Sequence, residues 1–191
     1  MPPARSTFIH LAIGLAFLTA GQVGLSFGRA FINAQWPVDW SHWFLLIGAV
    51  WSAVAFSTYS GGKCVFVGRL LVLAGAIGFV GMCTIDFIMW AMPDVESRTV
   101  LYEQTLRRPQ IAGPFLEIGP NLLYIGFVVL AVAWWRTAKV LTTQFIVSIL
   151  ACGLANVFGD RWHVAVGHAM IFGAALALAL RKTPPTNAIS S

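Results

Sequence analysis

The sequence predicts an all-α integral membrane protein, a six-transmembrane-helix bundle with a short interfacial amphipathic helix between helices 3 and 4. Hydrophobic residues make up 58% of the 191 residues, charged residues only 10%, and the mean hydropathy is +0.79. A soluble domain carries about 25% charged residues because its surface faces water, so the solvent of this chain must be lipid. Six apolar runs are each long enough for a spanning helix, which needs about 20 residues.

The six apolar runs account for most of the chain, and residues 1–191 are expected to form a single membrane domain. The predicted spans are, in order, residues 8–28, 42–59, 65–92, 114–135, 139–158 and 163–181. The first run is longer than the apolar core of a secretory signal, about 7–15 residues, and lacks a small-residue cleavage site. It is therefore expected to be a retained helix. Gly14, Gly21 and Gly28 recur along it at heptad spacing, which predicts close packing against another helix.

The segment between the third and fourth runs predicts a short helix over residues 94–108. Asp94 follows Pro93 and has the side chain of a good N-cap residue. Four residues then share one face of the helix: Val95, Thr99, Tyr102 and Leu106. Glu103 and Arg107 form an i, i+4 ion pair of the favoured polarity. This amphipathic helix is expected to lie at the membrane surface, either as a lid or as a connector.

The charges predict an orientation and exclude one class of partner. The net charge is +5, but the basic residues are scattered at the ends of apolar runs, without the basic stripe of a nucleic-acid-binding protein. Seven of the twelve basic residues fall on the side of the N-terminus. Basic residues favour the cytoplasmic side, so both termini are expected in the cytoplasm, with the protein in the cell (inner) membrane. All seven acidic residues fall on the other side.

Polar residues within the apolar runs predict a pocket near the outer side. Glu117, Asn121 and Tyr124 are spaced i, i+4, i+7 on the fourth helix; lipid would leave such a stripe without partners, so it is expected to face the bundle. Asp86 shares a face of the third helix with the packing glycines Gly68 and Gly75. Ionisable residues at such depth are functional candidates. The candidate ligand- or proton-binding residues are Asp86, Glu117, Asn121, Tyr124, Asn156 and His168.

The two histidines near the start of the sixth helix are expected to have different roles. His163 and His168 are five residues apart, so their side chains point about 140° from each other and cannot share a metal or a haem as an i, i+4 pair can. His163 is expected at the interface and His168 in the pocket. A haem held by His42 and His168 would require the second and sixth helices to approach each other. The candidate interfacial or gating residues are Arg29, His42, Trp90, Asp160, Arg161 and His163.

This composition and pocket favour the binding or transport of a small solute, ion or proton, because neighbouring carboxyl groups in a low dielectric can share protons. A second interpretation is a membrane-embedded, metal-assisted enzyme acting on a lipid-like substrate, with Asp86, Glu117 and His168 as the metal ligands. A third is a structural or accessory subunit without a site of its own. No motif specifies a cofactor or an enzymatic reaction. The expected partners are the lipid bilayer, a small solute or ion, and a second copy or another membrane subunit.

Overall fold

The computed structural model describes residues 4–35, 38–57, 59–135 and 138–181, and within these ranges the chain is helical and contains no strand. The helices are α1 (Arg5–Ser26), α2 (Gly28–Ala34), α3 (Trp40–Ser57), α4 (Lys63–Trp90), α5 (Val95–Leu106), α6 (Pro109–Ala112), α7 (Gly119–Trp134), α8 (Lys139–Val157) and α9 (Arg161–Leu180). A π-helical turn, Gly113–Glu117, joins α6 to α7.

Six stretches are long and apolar enough to cross a membrane, which confirms the predicted class of polytopic, all-α membrane protein. They are α1, α3, α4, the continuous stretch Pro109–Trp134, α8 and α9. Five spans begin within three residues of their predicted starts. The fourth begins at Pro109 rather than at residue 114, because α6 and the π-helical turn extend it toward the preceding loop.

The spanning helices form a closed ring. Each packs against the next one along the chain, and α9 packs against α1. Aromatic side chains of α7 fill the middle: Trp134 lies 5.1 Å from Phe8 and 5.7 Å from Phe56, and Phe127 lies 6.1 Å from Phe145, measured between ring centroids. All five rings are buried. The centre of the ring is therefore a packed hydrophobic core.

Glycines set the register between the antiparallel helices α4 and α7. A Cβ atom on Gly75 would collide with the backbone of Leu123, and one on Gly78 would lie 2.5 Å from the backbone of Gly119. Only glycine allows the two backbones to approach this closely. This contact fixes the depth of every residue on α7 relative to α4.

The glycines of α1 divide into two kinds. A Cβ on Gly14 would lie 2.8 Å from the backbone nitrogen of Ser52, and one on Gly21 would lie 2.8 Å from the carbonyl oxygen of Ser41. Gly28 differs from the packing role expected for it: a Cβ there would meet no described atom within 4 Å, and its φ is +84°. Glycine adopts this conformation without steric cost. Gly28 is therefore the first residue of α2, two residues after the end of α1.

The helix predicted between the third and fourth spans is present as α5. The Asp94 carboxylate caps it by accepting a hydrogen bond of 2.7 Å from the Ser97 amide. The Arg98 guanidinium donates to the Asn33 side-chain oxygen at 2.8 Å and to the Met92 carbonyl at 3.0 Å. These bonds connect α5 to α2 and to the end of α4. We call this end of the ring, where α1 and α4 end and α3 and α9 begin, the acidic end, because all seven carboxylates lie in its half.

Replacing Gly75 by alanine is expected to destabilise the protein by about 1–3 kcal/mol, the usual effect of forcing an extra carbon atom into a filled core. The measurement is the apparent melting temperature of the purified protein in detergent. Gly153→Ala is the matched control on α8, since a Cβ there meets no described atom within 4 Å. If the two variants melted at the same temperature, a Cβ atom at Gly75 would be tolerated, which would contradict the close contact with the Leu123 backbone.

Candidate functional site

The start of α3 carries a buried carboxylate that holds an imidazole. Asp39 immediately precedes the helix, and its Oδ1 accepts a hydrogen bond of 3.2 Å from the backbone amide of His42. Its Oδ2 lies 2.5 Å from His42 Nδ1. The Asp39 side chain is only 1% exposed. Because Asp39 occupies Nδ1, the Nε2 atom of His42 points away from its own helix turn.

The other nitrogen of the same ring reaches α4. His42 Nε2 lies 3.3 Å from Oδ2 of Asp86, whose side chain is 25% exposed. Asp86 is four residues from the end of α4, which places it ~6 Å inside the acidic end along the helix axis. We call Asp39, His42 and Asp86 the acid–imidazole triad.

The triad has a defined proton count. A carboxylate oxygen only accepts, so each nitrogen–oxygen contact requires one proton between its two atoms. When both contacts are made, the triad holds two protons and a net charge of −1. Loss of one proton leaves a neutral imidazole with a single N–H between two carboxylates and a net charge of −2. One of the two hydrogen bonds then disappears.

A second polar cluster lies between α7, α8 and α9. His168 is 1% exposed; its Nδ1 donates to the Val164 carbonyl at 2.8 Å, and its Nε2 accepts from the Tyr124 hydroxyl at 2.8 Å. The tautomer follows from these two partners. The Cys152 thiol lies 3.5 Å from His168 Nδ1. This histidine is therefore a fully satisfied, buried group.

Asp86, Glu117 and His168 were expected in one pocket, but they have separate surroundings. Asp86 contacts His42, and His168 contacts Tyr124. Glu117 lies eight residues inside the span that begins at Pro109, or ~12 Å along the helix axis. Since Gly78 lies opposite Gly119, Glu117 is level with residues 80–81 of α4. It is therefore ~8 Å deeper than Asp86.

The orientation expected for the polar stripe of α7 is found for only one of its three residues. Tyr124 points inward to His168, whereas Glu117 and Asn121 are exposed. A π-helical turn precedes the row, and in it the Ile118 amide donates to the Gly113 carbonyl at 2.8 Å. One such turn interrupts the 3.6-residue period. It does not account for Asn121, which follows the turn and is exposed as well.

The remaining candidate residues lie near the acidic end. Asn156, Arg29, Arg161 and His163 are exposed, and Trp90 and Asp160 are half-buried. His163 repeats the geometry of His42, because its Nδ1 lies 2.5 Å from Asp160 Oδ2 and its backbone amide donates to Asp160 Oδ1 at 3.1 Å. Unlike His42, His163 has no carboxylate at Nε2 within the part of the chain that the structure describes.

The part of the triad that the sequence analysis missed is Asp39. Its signal is present in the sequence as a repeated spacing: an Asp at the start of a helix and a His three residues later, in "DWSH" and again in "DRWH". An aspartate at the N-cap accepts from amides in the first turn, and its second oxygen is then free to bind a histidine side chain on that turn.

Neither a shared metal nor a shared haem fits the described geometry. Among residues 4–35, 38–57, 59–135 and 138–181, no group of three His, Cys, Asp or Glu side chains could hold a metal ion. In the triad, the two carboxylates lie on opposite nitrogens of the ring and share no common point. Both nitrogens of His42 and both of His168 already have partners, so the two rings are not free to hold a haem between them.

Comparisons with protein-family models, with curated protein sequences and with solved structures found no match for this chain. No relative therefore assigns a role to any residue. What the triad can do follows from its own atoms, which form a hydrogen-bonded proton acceptor and donor at the edge of a membrane.

Hydrogen bonds from the amide and ring of His163 hold the pKa of Asp160 below its usual range. A carboxylate with a lowered pKa stabilises the folded state above its ordinary pKa of about 3.9, and this contribution is lost as the pH falls through the lowered pKa. The first turn of α9 is therefore expected to open at acidic pH. Hydrogen exchange of residues 161–166, corrected for the intrinsic pH dependence, should become nearly pH-independent in Asp160→Ala. If the pH dependence of exchange in Asp160→Ala matched that of the unmodified protein, the Asp160 carboxylate would not be the group that stabilises this turn.

Tyr124→Phe is expected to destabilise the protein by about 1–3 kcal/mol, because it leaves the buried Nε2 atom of His168 without a donor. Thermal unfolding in detergent measures the effect. Tyr102→Phe removes a hydroxyl from an exposed residue of α5 and serves as the control. If both variants unfold at the temperature of the unmodified protein, the Tyr124–His168 bond does not contribute to stability.

Proposed function

We propose that this polytopic membrane protein binds and releases a proton at the acid–imidazole triad, and that it does so while binding or transporting a small solute or ion. The observation that carries the proposal is an imidazole held at both nitrogens by carboxylates from two different spanning helices. The acidic end would then face the outside of the cell and both termini the cytoplasm.

The two ends of the triad differ in their access to solvent, which gives the proton a route. Asp39 is buried, whereas a quarter of the Asp86 side chain is exposed. A proton therefore enters and leaves at Asp86, and His42 shares it with Asp39 in the interior.

Proton release also changes how two helices hold together. His42 lies in the first turn of α3 and Asp39 immediately precedes that helix, whereas Asp86 belongs to α4. The hydrogen bond between His42 Nε2 and Asp86 is a polar connection between these neighbouring helices, and it is present only while a proton lies between the two atoms. The protonation state of the triad therefore favours one arrangement of α3 against α4 over another, as coupling to a solute requires.

The first experiment measures proton binding by NMR on protein labelled with ¹⁵N-histidine, across a pH titration. Asp86→Asn is expected to move the titration midpoint of His42 by about one pH unit or more, since it removes a charge in direct contact with the ring. His163 is an internal control, because it has an equivalent aspartate partner, Asp160, but no second carboxylate among the described residues. The His42 signals are assigned with His42→Gln.

The second experiment measures proton movement with vesicles that contain the purified protein and a trapped pH-sensitive dye. After an acid pulse, Asp86→Asn and His42→Gln are expected to acidify the lumen about tenfold more slowly than the unmodified protein, whereas Asp160→Asn acidifies it at the unmodified rate. A titration of His42 that is independent of Asp86 would overturn proton binding. A melting temperature lowered by Asp86→Asn, with unchanged titration and flux, would instead favour a structural subunit.

A further inference from the structure

A groove runs along the outer side of the contact between α4 and α7. Gly78 and Gly119 line it where the two backbones meet, and both are buried. Beside them, Ile77 on α4 and Ile118 just before α7 are 58% and 59% exposed. The groove has a volume of about 520 Å³, which lies within the ~300–1,000 Å³ typical of ligand pockets. The glycines that bring the two helices together therefore also leave a space between their exposed side chains.

The groove follows the fourth span from its start to a point inside the membrane. Its lining includes Pro109, the first residue of that span, and Leu122 on α7. These two residues are thirteen positions apart, or ~20 Å along a helix axis. One leaflet of a bilayer has ~15 Å of hydrocarbon. The groove is therefore long enough to hold the acyl chain of a lipid.

The lining of the groove is entirely apolar, and one of its walls is held by a close contact. The ten lining residues are all Gly, Ala, Pro, Ile, Leu or Phe. Phe115 of the π-helical turn is one of them, and its ring occupies the position that a Cβ atom on Gly81 of α4 would need. A lining without hydrogen-bonding side chains favours a hydrocarbon chain over a polar solute.

Basic side chains adjoin the end of the groove at the start of the fourth span. Arg107 and Arg108 immediately precede Pro109, and both are exposed. Arg107 lies 3.9 Å from the Glu103 carboxylate, whereas Arg108 has no ion-pair partner within the part of the chain that the structure describes. The three charged groups together carry a net charge of +1. This charge is complementary to a phosphodiester, whose oxygens a guanidinium binds through two parallel hydrogen bonds.

We propose that the groove binds one acyl chain of an anionic phospholipid, with the lipid phosphate at Arg108. A phospholipid joins an apolar chain to a phosphate, in the same order as the apolar groove and the adjoining arginines. A lipid with a net charge of −1 balances the +1 of this region, whereas a zwitterionic lipid adds an ammonium group that the arginines repel. The bound lipid would contact α4, α6, the π-helical turn and α7 at once, and would thereby stabilise the junction between them.

The groove is separate from the acid–imidazole triad. Gly78 lies eight residues before Asp86 on α4, or ~12 Å farther from the acidic end. A lipid already present in the bilayer reaches the exposed sides of the groove without crossing the packed core. Lipid binding therefore neither requires nor excludes the proposed proton binding.

The first experiment titrates the full-length, delipidated protein in detergent with phosphatidylglycerol and measures bound lipid by native mass spectrometry. Arg108→Gln is expected to lower the affinity about tenfold, the effect of losing one charge-assisted hydrogen bond. Arg29→Gln is the matched control, because Arg29 is an exposed arginine of α2 near the same end of the ring. Uncharged diacylglycerol should bind to Arg108→Gln as it does to the unmodified protein.

The second experiment fills the groove. Ala74 is an exposed lining residue of α4, and Ala74→Phe is expected to lower the affinity for phosphatidylglycerol and for diacylglycerol alike, because its ring takes the volume of the chain. Leu73→Phe is the control, since Leu73 is 53% exposed on the same helix and does not line the groove. Glycerophosphoglycerol, the same headgroup without acyl chains, should not compete with the lipid.

Four results would overturn the proposal. Equal affinities of Arg108→Gln and Arg29→Gln for phosphatidylglycerol would show general attraction to a basic surface. Unchanged binding to Ala74→Phe would show that the chain lies elsewhere, and competition by the free headgroup would show that the groove contributes nothing. A dimer that dissociates in Ala74→Phe would make a second copy of the chain the occupant. Asp86→Asn should leave lipid binding unchanged, so that failure of this site is distinguishable from failure of the triad.

Discussion

The backbone contact between α4 and α7 is the constraint on which the rest of the molecule depends. Because Gly75 and Gly78 admit α7 to within contact of the α4 backbone, the two helices have one register and cannot slide past each other. That register places Tyr124 where its hydroxyl meets His168, and it places Glu117 well below Asp86. It also brings the large rings of α7 into the middle of the bundle, where they contact three other helices.

Much of the fold could be predicted because lipid imposes simple requirements. A spanning helix needs a long apolar run, and the six runs stand out from the loops by composition alone. The start of the fourth span could not be predicted in the same way. Pro109, Gly113 and Pro114 have the composition of a loop, yet proline is tolerated in the first turn of a helix, and here the second proline lies in a π-helical turn that continues the span.

Several residues of the site could be selected from the sequence, but the contacts between them could not be predicted. Asp86, Tyr124 and His168 were selected because ionisable or polar groups on apolar helices need partners. The partners themselves depend on which helices are neighbours and on their register, which one sequence does not specify. His42 was expected as an interfacial or gating residue and not as the partner of Asp86, and Asp39 was missed because a carboxylate before a helix has an ordinary explanation as a cap. Glu117 and Asn121 are exposed, although their spacing places them in the same row as Tyr124.

The aromatic core described above has a consequence for the kinetics of any solute that crosses this protein. Phe56 and Trp134 stack at 5.7 Å across the middle of the ring, and both are almost completely inaccessible. These two rings fill the part of the described core in which they lie and leave no room there for a file of water. Passage would need the helices to exchange between two arrangements in each cycle, and the rate would therefore saturate with concentration and fall steeply on cooling, as it does for a carrier.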